Sequence, residues 1–139
     1  MKTVAFIFAR GGSKGLPGKN LISLDGKPLL GHSIDLAKKI DEVSEIFVST
    51  EDNSIARVAE EFDAQVILRP KHLAEDNSPE LLSWKHAILD LKEKNIEFNK
   101  FLSIPTSAPL RNVDDVQSCL DLLDGSVDVV ITITESQRS

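Results

Sequence analysis

The chain has 139 residues and a formal net charge of -6, with 41% hydrophobic and 27% charged residues. That length suits one domain with a real core, and the acidic balance argues against broad nucleic-acid or anionic-membrane binding, which favour basic surfaces. A single cysteine, Cys119, excludes an intrachain disulfide, and His32, His72 and His86 lack metal-ligand spacing, so a reduced, cytoplasmic setting is expected.

The opening "MKTVAFIFA" imitates a signal peptide, but its apolar run is short and meets Arg10 at once. A buried first strand over 3–9 is the better reading. No stretch approaches the ~20 apolar residues of a membrane span. The segment 27–40 follows, with Leu30, Ile34, Ala37 and Ile40 at helical spacing and Pro28 in a first helical turn. "EIFVST" (45–50) reads as a second strand, then a short helix carries Ile55, Val58 and Phe62 on one side. "QVILR" (65–69) is a third strand.

A polar connection (70–77) leads to a helix start in which Ser78 caps, Pro79 fits the first turn and Glu80 suits the dipole. Leu81, Trp84, Ile88 and Leu91 mark its inner face, with His86 expected on its surface. "KFLSIP" (100–105) is a fourth strand. Val113, Val116, Leu120 and Leu123 mark another amphipathic helix, which would bury Cys119, and "DVVITIT" (128–134) is a fifth strand. This alternation predicts an α/β fold: a three-layer, mostly parallel sheet with helices on both faces. Ligands of such folds sit at the carboxyl ends of strands.

One such end is "ARGGSKGLPGKN" (9–20), where glycines alternate with Arg10, Lys14 and Lys19. Glycine lets backbone N–H groups face an anion unobstructed. Arg10 can offer a planar fork to phosphate, and the two lysines act as mobile point charges. The P-loop pattern fails, because Asn20 follows Gly18-Lys19, and Lys14 spoils the dinucleotide register beginning at Gly12. A plain solvated loop remains the rival reading.

The chain resembles the cytidylyltransferases that activate acidic sugars, above all the CMP-N-acylneuraminate (CMP-sialic acid) synthetases. Ala9 to Asn20 match the family's opening motif, Gly26 to Leu29 its G-K-P-L, and "VSTEDNSIA" (48–56) its second strand end. "RPKHLAEDNS" (69–78) and "PTSAPLR" (105–111) are similar to two later motifs. The resemblance implies a Rossmann-like nucleotidyltransferase in which the anomeric hydroxyl of a 2-keto sugar acid attacks the α-phosphate of CTP, releasing pyrophosphate.

By that pattern Arg10 and Lys19 are the catalytic cations. Ala9, Gly11, Gly12, Ser13, Lys14 and Asn20 hold the nucleotide, Arg69 and Ser78 wall the cytosine, and Thr106 lies at the sugar side. Each has a plainer alternative: Arg69 as a strand end before Pro70, Ser78 as a helix cap, and Thr106 as a turn residue. Three positions depart from the family. Phe8 replaces a proline, Gly18 a basic residue, and Ile104 a glutamine that faces the sugar.

Family members run on past this point, into a dimerisation segment and a pair of metal-holding aspartates. The resemblance therefore implies that 1–139 is a nucleotide-binding domain incomplete at its C-terminal end. The full-length protein would be a homodimer using Mg2+, with metal ligands beyond Ser139. The rival functions are transfer from another NTP or to another sugar, and nucleotide binding without turnover.

Overall fold

The first strand, β1 (Thr3–Phe8), sends Val4 and Phe6 to one core and Ala5 and Ile7 to another. A strand buried on both faces reads as a continuous apolar run, as this one does. The computed structural model describes residues 2–11, 21–75, 80–98, 100–104 and 129–132.

After β1 comes a small antiparallel hairpin, β2 (Ser23–Leu24) with β3 (Lys27–Pro28). Its turn residues Asp25 and Gly26 have φ of 54° and 80°, the left-handed pair that a two-residue turn demands. The sequence reading placed 27–28 in a helix. Instead, Leu29 N–H donates to Ile22 O at 2.9 Å, and helix α1 (Leu29–Lys38) starts behind an extended Pro28 N-cap.

The chain continues through β4 (Val43–Thr50), α2 (Asn53–Glu61) and β5 (Gln65–Leu68). A 3-10 turn at Lys71–Leu73 precedes α3 (Glu80–Glu93), β6 (Lys100–Ser103) and β7 (Val129–Thr132). Both α2 and α3 end in left-handed residues, Asp63 and Asn95. At each end the next two N–H groups turn back onto helix carbonyls, Asp63 to Glu60 and Ala64 to Ala59, Asn95 to Lys92 and Ile96 to Leu91.

Among the described residues the main sheet has five parallel strands in the order β5-β4-β1-β6-β7. Helices α1 and α2 cover one face, burying Leu30, Ile34, Ala37, Ile55 and Ala59 against Ile7 and Val48. Helix α3 covers the other, setting Ala87 and Leu91 among Phe6, Phe47 and Phe101. Trp84 joins this aromatic side as expected, its ring 5.6 Å from Phe101, while His86 is half-buried rather than on the surface. The helix expected around Val113–Leu123, with Cys119, lies outside the described residues.

Strand order reverses between β1 and β6, so the crevice of this α/β sheet opens at their carboxyl ends. The opposite edge is closed by Glu42, which accepts from Thr3 Oγ1 at 2.7 Å and from Lys100 Nζ at 2.6 Å. No described helix is long and apolar enough to cross a membrane.

Candidate functional site

Three backbone bonds carry the parallel ladder past the strand ends. Ala9 N–H donates to Ser49 O at 3.0 Å, Arg69 N–H to Thr50 O at 3.0 Å, and Ile104 N–H to Phe6 O at 2.9 Å. Register then dictates what comes next. Phe8 lies opposite Ser49, and Thr50 opposite Leu68. One step further, Glu51 stands beside Arg69; two steps past β1, Arg10 reaches the same level. The strand order β5-β4-β1 thus sets a row Arg69–Glu51–Arg10 along the carboxyl edge.

Glu51 joins this row to the glycine-rich loop. Its Oε2 accepts from Gly11 N–H at 2.8 Å, and its Oε1 lies 3.8 Å from Arg69 Nη2, with side chains only 13% and 5% exposed. Gly11 is a necessity here, since a Cβ would fall 2.7 Å from Asp52 Cγ and overlap that carboxylate. Asp52 cannot easily yield. It caps α2, accepting from Ser54 N–H at 2.8 Å and Ile55 N–H at 3.0 Å.

Arg69 is buried, not the exposed strand end its plainer reading allowed. Its Nη1 donates to Ser83 Oγ at 2.9 Å, and that hydroxyl donates to Leu73 O at 3.2 Å. Burial pulls the guanidinium below the usual arginine range; Glu51 opposes that shift and the Arg10 charge adds to it. Arg69 Nε and Glu51 Oε1 have no hydrogen-bond partner among the described residues. Arg10 and Arg69 face each other across Glu51. With Asp52 beside Gly11 the two cations are balanced by two carboxylates, so the excess positive charge would come from Lys14 and Lys19 of the adjoining loop. Such a site attracts a polyanion.

The structure therefore brings together Ala9, Arg10, Gly11 and Arg69 of the sequence-predicted site. Ala9 is buried at the end of β1, and the Gly11 amide faces Glu51. Gly12, Ser13, Lys14, Lys19, Asn20, Ser78 and Thr106 lie outside the described residues. Ile104, at the position where the resemblance sets a sugar-facing glutamine, is 1% exposed and packs in the core under α1 and α2.

Sequence reasoning missed Glu51 and Ser83. The parallel register of β4 and β5 was the signal for Glu51; Ser83 reads as an ordinary helix residue until Arg69 reaches it. Glu51 and Asp52, the carboxylates at this edge, are engaged by Gly11 and Arg69 and by the α2 cap. Among the described residues no cluster of His, Cys, Asp and Glu could hold a metal ion. Glu51 and Asp52 are already engaged, so no described carboxylate is assigned to Mg2+.

A family model described as cytidylyltransferase matches residues 4–97, which include the whole Arg10–Glu51–Arg69 row. The chain belongs to the cytidylyltransferase family. It is 35% identical over 127 residues to the CMP-N,N'-diacetyllegionaminic acid synthase of Legionella pneumophila, covering 88% of this chain and 53% of that one. It is 29% identical over 139 residues to the N-acylneuraminate cytidylyltransferase of Escherichia coli O18:K1:H7, covering 99% of this chain and 32% of that one.

Among solved structures, a CMP:2-keto-3-deoxy-manno-octonic acid synthetase complexed with CTP superposes with a TM-score of 0.75 at 24% identity, over 91% of this chain and 48% of that one. A likeness at that identity carries the fold, which is the α/β Rossmann-like arrangement the sequence predicted. This cytidylyltransferase chain spans between about a third and a half of the length of the curated relatives it matches.

Proposed function

We propose that the chain provides the nucleotide-binding part of an enzyme that transfers CMP from CTP to the anomeric hydroxyl of an acidic 2-keto sugar. The observation that carries this reading is the Arg10–Glu51–Arg69 row beside the root of the glycine-rich loop. Its two guanidinium groups, with Lys14 and Lys19 of the loop, suit a triphosphate. Relatives named for N,N'-diacetyllegionaminic acid, N-acylneuraminate and pseudaminic acid supply the sugar class.

In this reaction the sugar oxygen bonds to the α-phosphorus while the bond to the bridging oxygen of pyrophosphate breaks, and the hydroxyl proton is lost. In-line transfer depends on positioning and charge neutralisation more than on a protein nucleophile. Arg10 and Lys19 would offset the charge growing on the phosphates. Because the Gly11 amide is held by Glu51, the amide cradle would begin at Gly12, with Ser13 and Lys14 beside it and Asn20 near the ribose. Arg69 and Ser78 would meet the cytosine, and Thr106 the sugar. Mg2+ belongs to the proposal as the companion of the triphosphate, with no described residue assigned to it.

Pyrophosphate release by the full-length protein tests the reading, with CTP and, in turn, N-acylneuraminate, N,N'-diacetyllegionaminate, pseudaminate and 3-deoxy-manno-octulosonate. Release with CTP and at least one of these acids, and none with UTP, is expected. Equal release with UTP or ATP would contradict cytosine selection. Tight CTP binding with no release under any acid would leave a nucleotide-binding module.

A further inference from the structure

We infer that Glu51 is a positioning residue that ties the phosphate loop to the base-selecting wall. This rests on the nucleotide reading above and assigns a role to a residue that reading leaves unused. One oxygen, Oε2, accepts from the Gly11 amide at 2.8 Å, at the root of the loop that would hold the phosphates. The other, Oε1, faces Arg69 Nη2 at 3.8 Å. Ser83 anchors Nη1 by a hydrogen bond, while Glu51 holds the Nη2 side by charge across 3.8 Å. Arg69 Nε is buried and lacks a hydrogen-bond partner among the described residues.

The geometry couples two events. A shift of Gly11 breaks its hydrogen bond to Glu51 unless Glu51 follows. A shift of Glu51 alters the charge beside Arg69. Seating of the phosphates and orientation of the base-facing arginine therefore share one side chain. A neutral amide at position 51 keeps the size but removes the charge that opposes Arg69 desolvation.

The test compares wild type, Glu51→Gln, Arg69→Ala and the double variant by calorimetry with CTP and UTP in the presence of Mg2+. Glu51→Gln should reduce the preference for CTP over UTP about tenfold, because Arg69 loses the carboxylate that faces it. Preference and not affinity is the readout, since neutralising Glu51 also raises the positive charge that attracts a polyanion. In the Arg69→Ala background the same substitution should remove no further preference, because the two residues act as one unit. Additive losses overturn the proposal, since a merely structural carboxylate would not act through Arg69.

A second readout needs no nucleotide. Amide hydrogen exchange at Gly11 should accelerate about tenfold in Glu51→Gln, while Ala9, bonded to Ser49 O, keeps its rate. Should the wild type not distinguish CTP from UTP, the nucleotide reading fails and Gly11 exchange alone decides: acceleration supports the tie, an unchanged rate removes it. If Glu51→Gln does not fold, Glu51→Asp serves, keeping the charge but one methylene short of both partners. Wild-type preference and wild-type Gly11 exchange in Glu51→Asp would overturn the inference.

Discussion

Gly11 N–H donates to Glu51 Oε2 at 2.8 Å, although 40 positions separate them in the chain. The bond exists because β1 and β4 are parallel neighbours that end level with one another. It makes Gly11 the point where backbone geometry and site chemistry meet. Gly11→Ala should force the Asp52 carboxylate off the α2 cap, a cap worth about 1 kcal/mol. The expected result is a lower unfolding midpoint together with weaker nucleotide binding. Wild-type values for both would show that the loop root can move aside freely.

Arg69 and Ser83 make a buried pair that spans β5 and α3. Ser83→Ala leaves Arg69 Nη1 without that acceptor in a desolvated place, at a cost of about 1–3 kcal/mol. Urea denaturation should register the loss, and CTP affinity should fall as the guanidinium loosens. Ser83→Thr retains the hydroxyl and should recover most of the affinity. Equal affinity in all three proteins would remove Ser83 from the support of Arg69.

Lys19 carries the prediction about rate. In the full-length protein Lys19→Ala should lower pyrophosphate release about 100-fold or more, the range seen for loss of one donor to transition-state charge. Its unfolding midpoint should stay near that of the wild type. Thermal destabilisation without a loss of rate would count against a catalytic role.

Phe101 is the hub of the aromatic side. Its ring lies 4.3 Å from Phe6, 5.6 Å from Trp84, 6.2 Å from Phe8 and 6.4 Å from Phe98. Phe101→Ala should cost about 3–5 kcal/mol by loss of burial and the cavity left behind. Phe101→Leu should cost visibly less. The intrinsic fluorescence of Trp84 reports both changes, and similar costs for the two variants would argue against tight packing there.

Much of this architecture was legible from residue pattern. The runs around Val4, Val48, Ile67 and Phe101 are short and apolar, as strands covered on both faces must be. Pro28 misled, because the Asp25–Gly26 turn draws it into a hairpin with strands of two residues, too short to show alternation. The glycine-rich loop and Arg69 stood out by composition and motif. Glu51 did not, since its meaning arises only when strand order sets it between Arg10 and Arg69. Ile104 shows the converse: a position associated with the sugar turns its side chain into the core.

Glu45 contributes to acid sensitivity. Glu45 is held below the usual carboxylate range, first by its hydrogen bond with Lys2 at 2.7 Å, against an opposing push from burial, and further by Gln65. A depressed folded-state pKa adds stability above the unfolded value of about 4.3 and loses it as pH falls through the folded one. Both partners are partly exposed, at 38% and 26%, so the contribution is under about 1 kcal/mol. The stability gap between wild type and Glu45→Gln should close on acidification and shrink in salt. A gap that ignores both would assign the effect to packing.

The Arg10–Glu51–Arg69 edge and its loop are proposed to bind CTP by charge and by base. Calorimetric titration of the chain with CTP, UTP, ATP and GTP in Mg2+ checks this. Saturable binding with CTP preferred, and loss of that preference in Arg69→Ala, are expected. Equal affinity for all four nucleotides, or a CTP preference that survives Arg69→Ala, would contradict it.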